Sequence, residues 1–120
     1  MGIFLSEYLK FKGVKNIFIV EKNDERVKFL SSNTNFNIIK SSENLEKKFD
    51  LIFTACPARE THSLALELVN TAGVINFFGG LPTGSNPLEL DSNSIHYSEI
   101  VLMGTHGSTP LQHKEALELI

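Results

Sequence analysis

Glu21 stands at the carboxyl end of the apolar run Asn16-Ile-Phe-Ile-Val20. A carboxylate at the end of a strand can accept hydrogen bonds from the paired hydroxyls of a nucleotide ribose, and it repels a 2′-phosphate. Lys22 and Arg26 follow closely, so the same acid can equally form a surface ion pair, and either cation can meet a phosphate. A glycine loop that cradles phosphates would lie about 20 residues before such an acid. Counting back reaches Met1-Gly2, and no Gly-x-Gly-x-x-Gly occurs anywhere in the chain. Gly79-Gly80 and Gly104-Thr-His-Gly107 each follow an apolar run, where a missing Cβ lets backbone approach a ligand; turn chemistry explains these glycines equally well.

The remaining reactive side chains form no known constellation. His62, His96, His106 and His113 include no His-x-x-x-His pair, and the chain has one cysteine. A zinc site needs convergent ligands, so these histidines read as ordinary surface or hydrogen-bonding residues. Cys56, placed between a strand and Pro57, reads as a partly buried small side chain, because a reactive thiol needs a lowered pKa that spacing alone does not supply. Ser108 and Thr109 read as helix caps.

The elements that must position these residues alternate. Ile3, Phe4, Tyr8, Leu9 and Phe11 fall at helical spacing, with Gly13 as a C-terminal cap. Residues 16–20 form an apolar strand rich in β-branched side chains, and Asn23 caps a helix whose first turn holds Asp24 and Glu25. Residues 36–39 predict a second strand, 45–48 a helical turn and 50–54 a third strand. A helix over 58–71 follows, with Leu64, Leu68, Ala65 and Val69 as its inward stripe and Gly73 ending it. Residues 73–78 predict a fourth strand, 79–87 a loop, 88–90 a short edge strand, 92–98 a short helix and 100–103 another strand. Thr109, Pro110 and Gln112 then open a last helix running toward Ile120. Apolar strands separated by helices, without Asn-Gly hairpin turns, imply parallel pairing and an α/β class.

A chain of 120 residues with 42% hydrophobic and 21% charged residues suits one folded domain. No apolar run approaches a membrane span, and the first residues lack the basic region and cleavage site of a secretory signal, so the expectation is a cytoplasmic protein. Residues 1–50 carry nine Lys/Arg against seven Asp/Glu, and residues 51–120 two against seven. With no basic patch interleaved with aromatics, nucleic acid is not an expected partner.

The second half of the chain resembles a family. Val74-Ile-Asn-Phe-Phe-Gly-Gly-Leu-Pro82, Asp91-Ser-Asn-Ser-Ile-His-Tyr-Ser-Glu99, Gly104-Thr-His-Gly-Ser-Thr-Pro110 and Glu115-Ala-Leu-Glu-Leu-Ile120 are similar to zinc-dependent medium-chain dehydrogenases, most of all to the sorbitol, polyol and threonine branch. Ile19-Val-Glu-Lys-Asn-Asp-Glu-Arg26 resembles the second strand and following helix of that family's NAD-binding domain. The resemblance implies a three-layer Rossmann-like parallel sheet, with residues 1–120 forming a partial domain. It implies that Glu21 binds the ribose, with Arg26 beside it, and that Gly2 is the last glycine of the phosphate loop. Thr54, Ala55 and Cys56 would line the adenosine side, Phe78, Gly79, Gly80 and Leu81 the nicotinamide, and Thr105, His106 and Gly107 the carboxamide. The family also dimerises through an edge strand, here Leu88, Glu89 and Leu90.

What the resemblance does not find in the chain sets further expectations. The catalytic zinc domain, the first strand and most of the glycine loop are missing, so the chain reads as beginning at an internal methionine. NAD affinity would be weak or lost, zinc would belong to the parent enzyme only, and dehydrogenase activity is not expected of this chain alone. In a sheet of order 3-2-1-4-5-6 the missing strand is central. Residues 16–20 and 50–54 would then pair with each other, or a partner chain would fill the slot and make a homodimer. Phe49-Asp-Leu-Ile-Phe-Thr-Ala-Cys-Pro57 also resembles a strand of S-adenosylmethionine-dependent methyltransferases, which gives a second enzyme class; a non-catalytic association module is a third reading.

Overall fold

The computed structural model describes residues 1–40, 45–85 and 87–119. Asn86, in the expected loop, and Ile120, at the expected end of the last helix, lie outside them. Two compact units divide the chain, residues 1–46 and 47–120.

In the first unit, α1 (Gly2–Phe11) ends where the sequence placed its stop. Gly13 takes φ 91°, its N–H reaches Lys10 O at 2.9 Å, and the N–H of Val14 reaches Leu9 O at 3.0 Å. This paired reverse hydrogen bonding requires a left-handed residue, which only glycine supplies without strain. β1 (Phe18–Glu21) pairs in parallel with β2 (Asn37–Lys40), in register from Phe18 opposite Asn37 to Glu21 opposite Lys40. The crossover between them is α2 (Asp24–Asn33), opened by the Asn23 side chain accepting from Arg26 N–H at 3.0 Å. Its Leu30 and the neighbouring Ile17 are the buried apolar side chains of this unit.

In the second unit, β3 (Phe49–Phe53), β4 (Val69–Phe77) and β5 (Val101–Gly104) form a parallel three-stranded sheet with β4 in the centre. α3 (Arg59–Leu68) packs on β3 and β4. Ala65 of the helix, Val69 and Ile75 make the buried cluster, and Ile52, Leu66, Phe77, Ile100 and Leu102 close around it. The short α4 (Ser92–Tyr97) is capped by Asp91, and α5 (Pro110–Glu118) carries the capping box read from Thr109 and Gln112.

Three boundary expectations are corrected. The helix expected over 58–71 stops at Leu68, and the chain enters β4 at once. Residues 70–73 bulge, so that Phe49 faces Val69 but Leu51 faces Val74. Within the bulge Ala72 adopts φ 58° and gives its N–H to Ser98 O at 2.8 Å. Gly73 therefore lies inside the strand; a Cβ there would stand 2.6 Å from Val69 Cγ2. The apolar i, i+4 stripe continued through Val69, but this tertiary hydrogen bond and the β-branched Val69 and Thr71 decide for extended backbone. Residues 45–48 form no helical turn, and Leu88, Glu89 and Leu90 join no sheet of the described residues.

The α/β class and the parallel pairing are as read from the sequence. Neighbours follow the expected order with its first strand left out: β2 beside β1, and β3-β4-β5. Among the described residues the ladders make two sheets, and none joins residues 16–20 to 50–54.

Candidate functional site

Parallel strands deliver their carboxyl ends to one edge of a sheet, and ligands of open α/β folds bind outside that edge. In the second unit Phe53 pairs with Asn76, and Phe77 with Gly104. The residues emerging side by side are therefore Thr54 to Cys56, Phe78 to Leu81, and Thr105 to Gly107. The structure brings together at one sheet edge all three groups singled out in the second half of the chain.

Asn76 ties these ends. Its carbonyl accepts the N–H of Thr54 at 3.0 Å and that of Phe78 at 3.0 Å, and its side-chain Oδ1 accepts from the Thr105 hydroxyl at 3.1 Å. It is buried. Sequence reasoning missed it, although a lone amide inside the run Val74-Ile-Asn-Phe-Phe78 was a usable signal: a buried amide must find partners.

Gly79 is held from three sides. Its N–H donates to Thr54 O at 2.6 Å, and its carbonyl meets His62 Nε2 at 2.9 Å. A Cβ on it would lie 2.9 Å from the backbone N, C and O of Cys56. The glycine is thus required by close approach of two backbones. Gly80 has no neighbour within 4 Å of a built Cβ and is exposed.

His62 is buried, with its ring stacked on Phe77 at a centroid distance of 4.7 Å. Its hydrogen bond to Gly79 fits the expectation of a bonded histidine. Cys56, expected to be partly buried, is exposed. Thr61 donates its hydroxyl to Ala58 O at 2.8 Å, so the Cys56 thiol, 2.9 Å from that hydroxyl, is the donor to it. Thr54 is 2% exposed, and its Oγ1 has no hydrogen-bond partner among the described residues. His106 and Gly107 are exposed, the latter at φ 70°. Thr109 is the cap that the sequence predicted. Ser108 instead pairs with His113 Nε2 at 2.8 Å on an exposed turn.

In the first unit, the ion-pair reading of Glu21 holds. Oε1 accepts the backbone N–H groups of Lys22 and Asn23, each at 2.9 Å, which fixes the carboxylate just past the strand. Oε2 lies 3.6 Å from Arg26 Nε in a half-exposed ion pair. A carboxylate oxygen has two lone-pair directions, so Oε2 keeps acceptor capacity for a hydroxyl. Gly2 is the first residue of α1, and its carbonyl accepts from the Ser6 hydroxyl at 3.0 Å. Among the described residues no three His, Cys, Asp or Glu side chains converge to hold a metal ion. No described helix is long and apolar enough to cross a membrane.

No family model and no curated protein sequence matches the chain. Solved structures do. A protein of Sinorhizobium meliloti 1021 described as a zinc-binding dehydrogenase, bound to NADP, superposes with a TM-score of 0.76 at 15% identity, over 88% of this chain and 34% of that one. TarJ from S. aureus gives 0.75 at 18% identity, over 92% and 35%. An alcohol dehydrogenase of E. coli CFT073 complexed with NADH gives 0.63 at 22% identity, over 78% and 29%. The chain spans about a third of the length of these structures. At such identities the likeness shows the fold alone: parallel α/β architecture shared with part of these dehydrogenase structures.

Proposed function

We propose that this chain is the NAD-binding part of a zinc-dependent alcohol or polyol dehydrogenase of the medium-chain type. One observation carries the reading: three parallel strands release Thr54, Phe78 and Thr105 at a single sheet edge, joined there by Asn76 and Gly79. Pre-bonded backbone at a strand-end edge offers fixed donors and acceptors for a planar polar ring and its ribose, at little ordering cost. Glu21, with its spare Oε2 capacity, is the acceptor for ribose hydroxyls, and its charge selects NAD over NADP. When bound, the coenzyme supplies a hydride acceptor. This chain's residues bind and orient it. The parent reaction, hydride exchange between a secondary alcohol and NAD with zinc polarising the alkoxide, is part of the same proposal. Among the described residues there is no zinc donor set.

The test is a titration of the isotope-labelled chain with NAD, NADP and S-adenosylmethionine, followed by amide chemical shifts. Weak but saturable shifts at residues 54–56, 78–81 and 105–107 with NAD, weaker still with NADP, are expected, and Glu21→Ala narrows the difference between the two coenzymes. Saturable shifts with S-adenosylmethionine alone, or none with any of the three, overturn the reading.

A further inference from the structure

His62 occupies a place on the inward face of α3 where an apolar side chain would pack without desolvation cost. It is 6% exposed, and its ring lies nearly parallel to Phe77, at 28°. Among the described residues its one polar contact is with the carbonyl of Gly79, at 2.9 Å. A carbonyl can only accept, so Nε2 carries the proton and donates.

The consequence reaches the next residue. The described residues contain no cis peptide bond. In a trans peptide the C=O of one residue and the N–H of the next point in opposite directions. A donor on α3 that holds the Gly79 carbonyl therefore turns the Gly80 N–H away from α3. Gly79 cannot relax from this arrangement, because its N–H is held by Thr54 and its Cα face is against Cys56. Gly80 is exposed, with open space where a side chain would be.

We propose that His62 is a positioning residue that sets the Gly79–Gly80 peptide plane, so that the Gly80 N–H is presented as a fixed donor to an oxygen of the bound coenzyme, such as a ribose hydroxyl or the carboxamide oxygen. This rests on the coenzyme reading above. It assigns to a buried helix residue, which does not touch the ligand, control over one hydrogen bond at the site.

Two variants separate positioning from packing. His62→Phe keeps an aromatic ring for the stack on Phe77 and removes the donor. His62→Gln removes the ring and keeps an N–H that can reach the carbonyl. Amide resonances and hydrogen exchange of Gly79 and Gly80 are measured for both in the full chain, together with the urea midpoint and NAD affinity. The expected result is that His62→Phe shifts the Gly80 amide resonance and weakens NAD about tenfold, the equivalent of roughly one hydrogen bond, while His62→Gln restores both. Unchanged Gly80 resonances in His62→Phe overturn the proposal. So does NAD affinity that follows the urea midpoint across both variants, since that marks packing alone. If the unaltered chain shows no NAD shifts, the coenzyme reading fails and its Gly80 contact with it; the peptide-plane control is then decided by the Gly80 resonance alone.

Discussion

The ends of β1 and β4 solve the same problem differently. Each presents a polar group just past a parallel strand. Glu21 is held by its immediate neighbours, through the N–H groups of Lys22 and Asn23 and the Arg26 side chain one helical turn on. Gly79 is held by Thr54, Cys56 and His62, contributed by a different strand and by a helix. The first arrangement is local and half-exposed, and it costs little to break. The second depends on the packing of α3 against β3 and β4 around Ile75, which has no exposed surface. Local bonds survive loss of the core around them; a clasp built from distant segments does not.

The comparison can be broken at several points. Ile75→Ala removes the centre of the cluster under the β4 end and should cost about 2–5 kcal/mol. Urea unfolding checks this, and the amide resonances of residues 54–56 and 78–81 should move together while those of 21–26 stay. Next in size is Gly79→Ala, whose Cβ would overlap the Cys56 backbone. A loss of about 1–3 kcal/mol is expected, against a change within about 0.5 kcal/mol for Gly80→Ala, where nothing is near. Equal effects at the two glycines would show that the close approach is not sustained in solution.

Smaller effects test the local side. Thr109→Ala removes the capping box of α5 and should cost about 1 kcal/mol of that helix. α5 buries no side chain, so circular dichroism should report lost helicity while the urea midpoint of the sheet holds. Thr54→Val replaces a buried hydroxyl that lacks a partner with a methyl group. It should leave stability unchanged or raise it by up to about 1 kcal/mol, and a clear loss would reveal a bond to that hydroxyl. The smallest effect concerns Asp91. The Ser94 hydroxyl, then the backbone N–H groups of Asn93 and Ser94, hold its carboxyl below the usual aspartate value. A lowered folded pKa stabilises α4 at pH above the unfolded value, and the gain is lost as pH falls through the folded one. Protection of the α4 amides, relative to their intrinsic exchange at each pH, should therefore fall in that acid window, and Asp91→Asn should abolish that fall.

Caps were the most legible features. Gly13, Asn23 and Thr109 each act within one turn of their own position, so their chemistry is written in adjacent letters. The parallel α/β class followed from apolar runs separated by helical stripes. The candidate edge was legible for the same reason, since residues after apolar strands must emerge at their ends. What failed was decided at a distance. Helix gave way to strand at Val69 because Ala72 bonds to Ser98, and Leu88 to Leu90 alternate as a strand would without forming one.

The sequence alone determined the helix caps, the apolar strand runs and the strand-end placement of Glu21. All of these depend on residues within a turn or a strand of one another, where covalent connection keeps the partners close. Tertiary structure alone decided that His62 would bond Gly79, that Asn76 would join three strand ends, that Cys56 would be exposed and that the strands would form two sheets. Those outcomes depend on which distant segments share a core, and packing selects the partners only once the chain has folded.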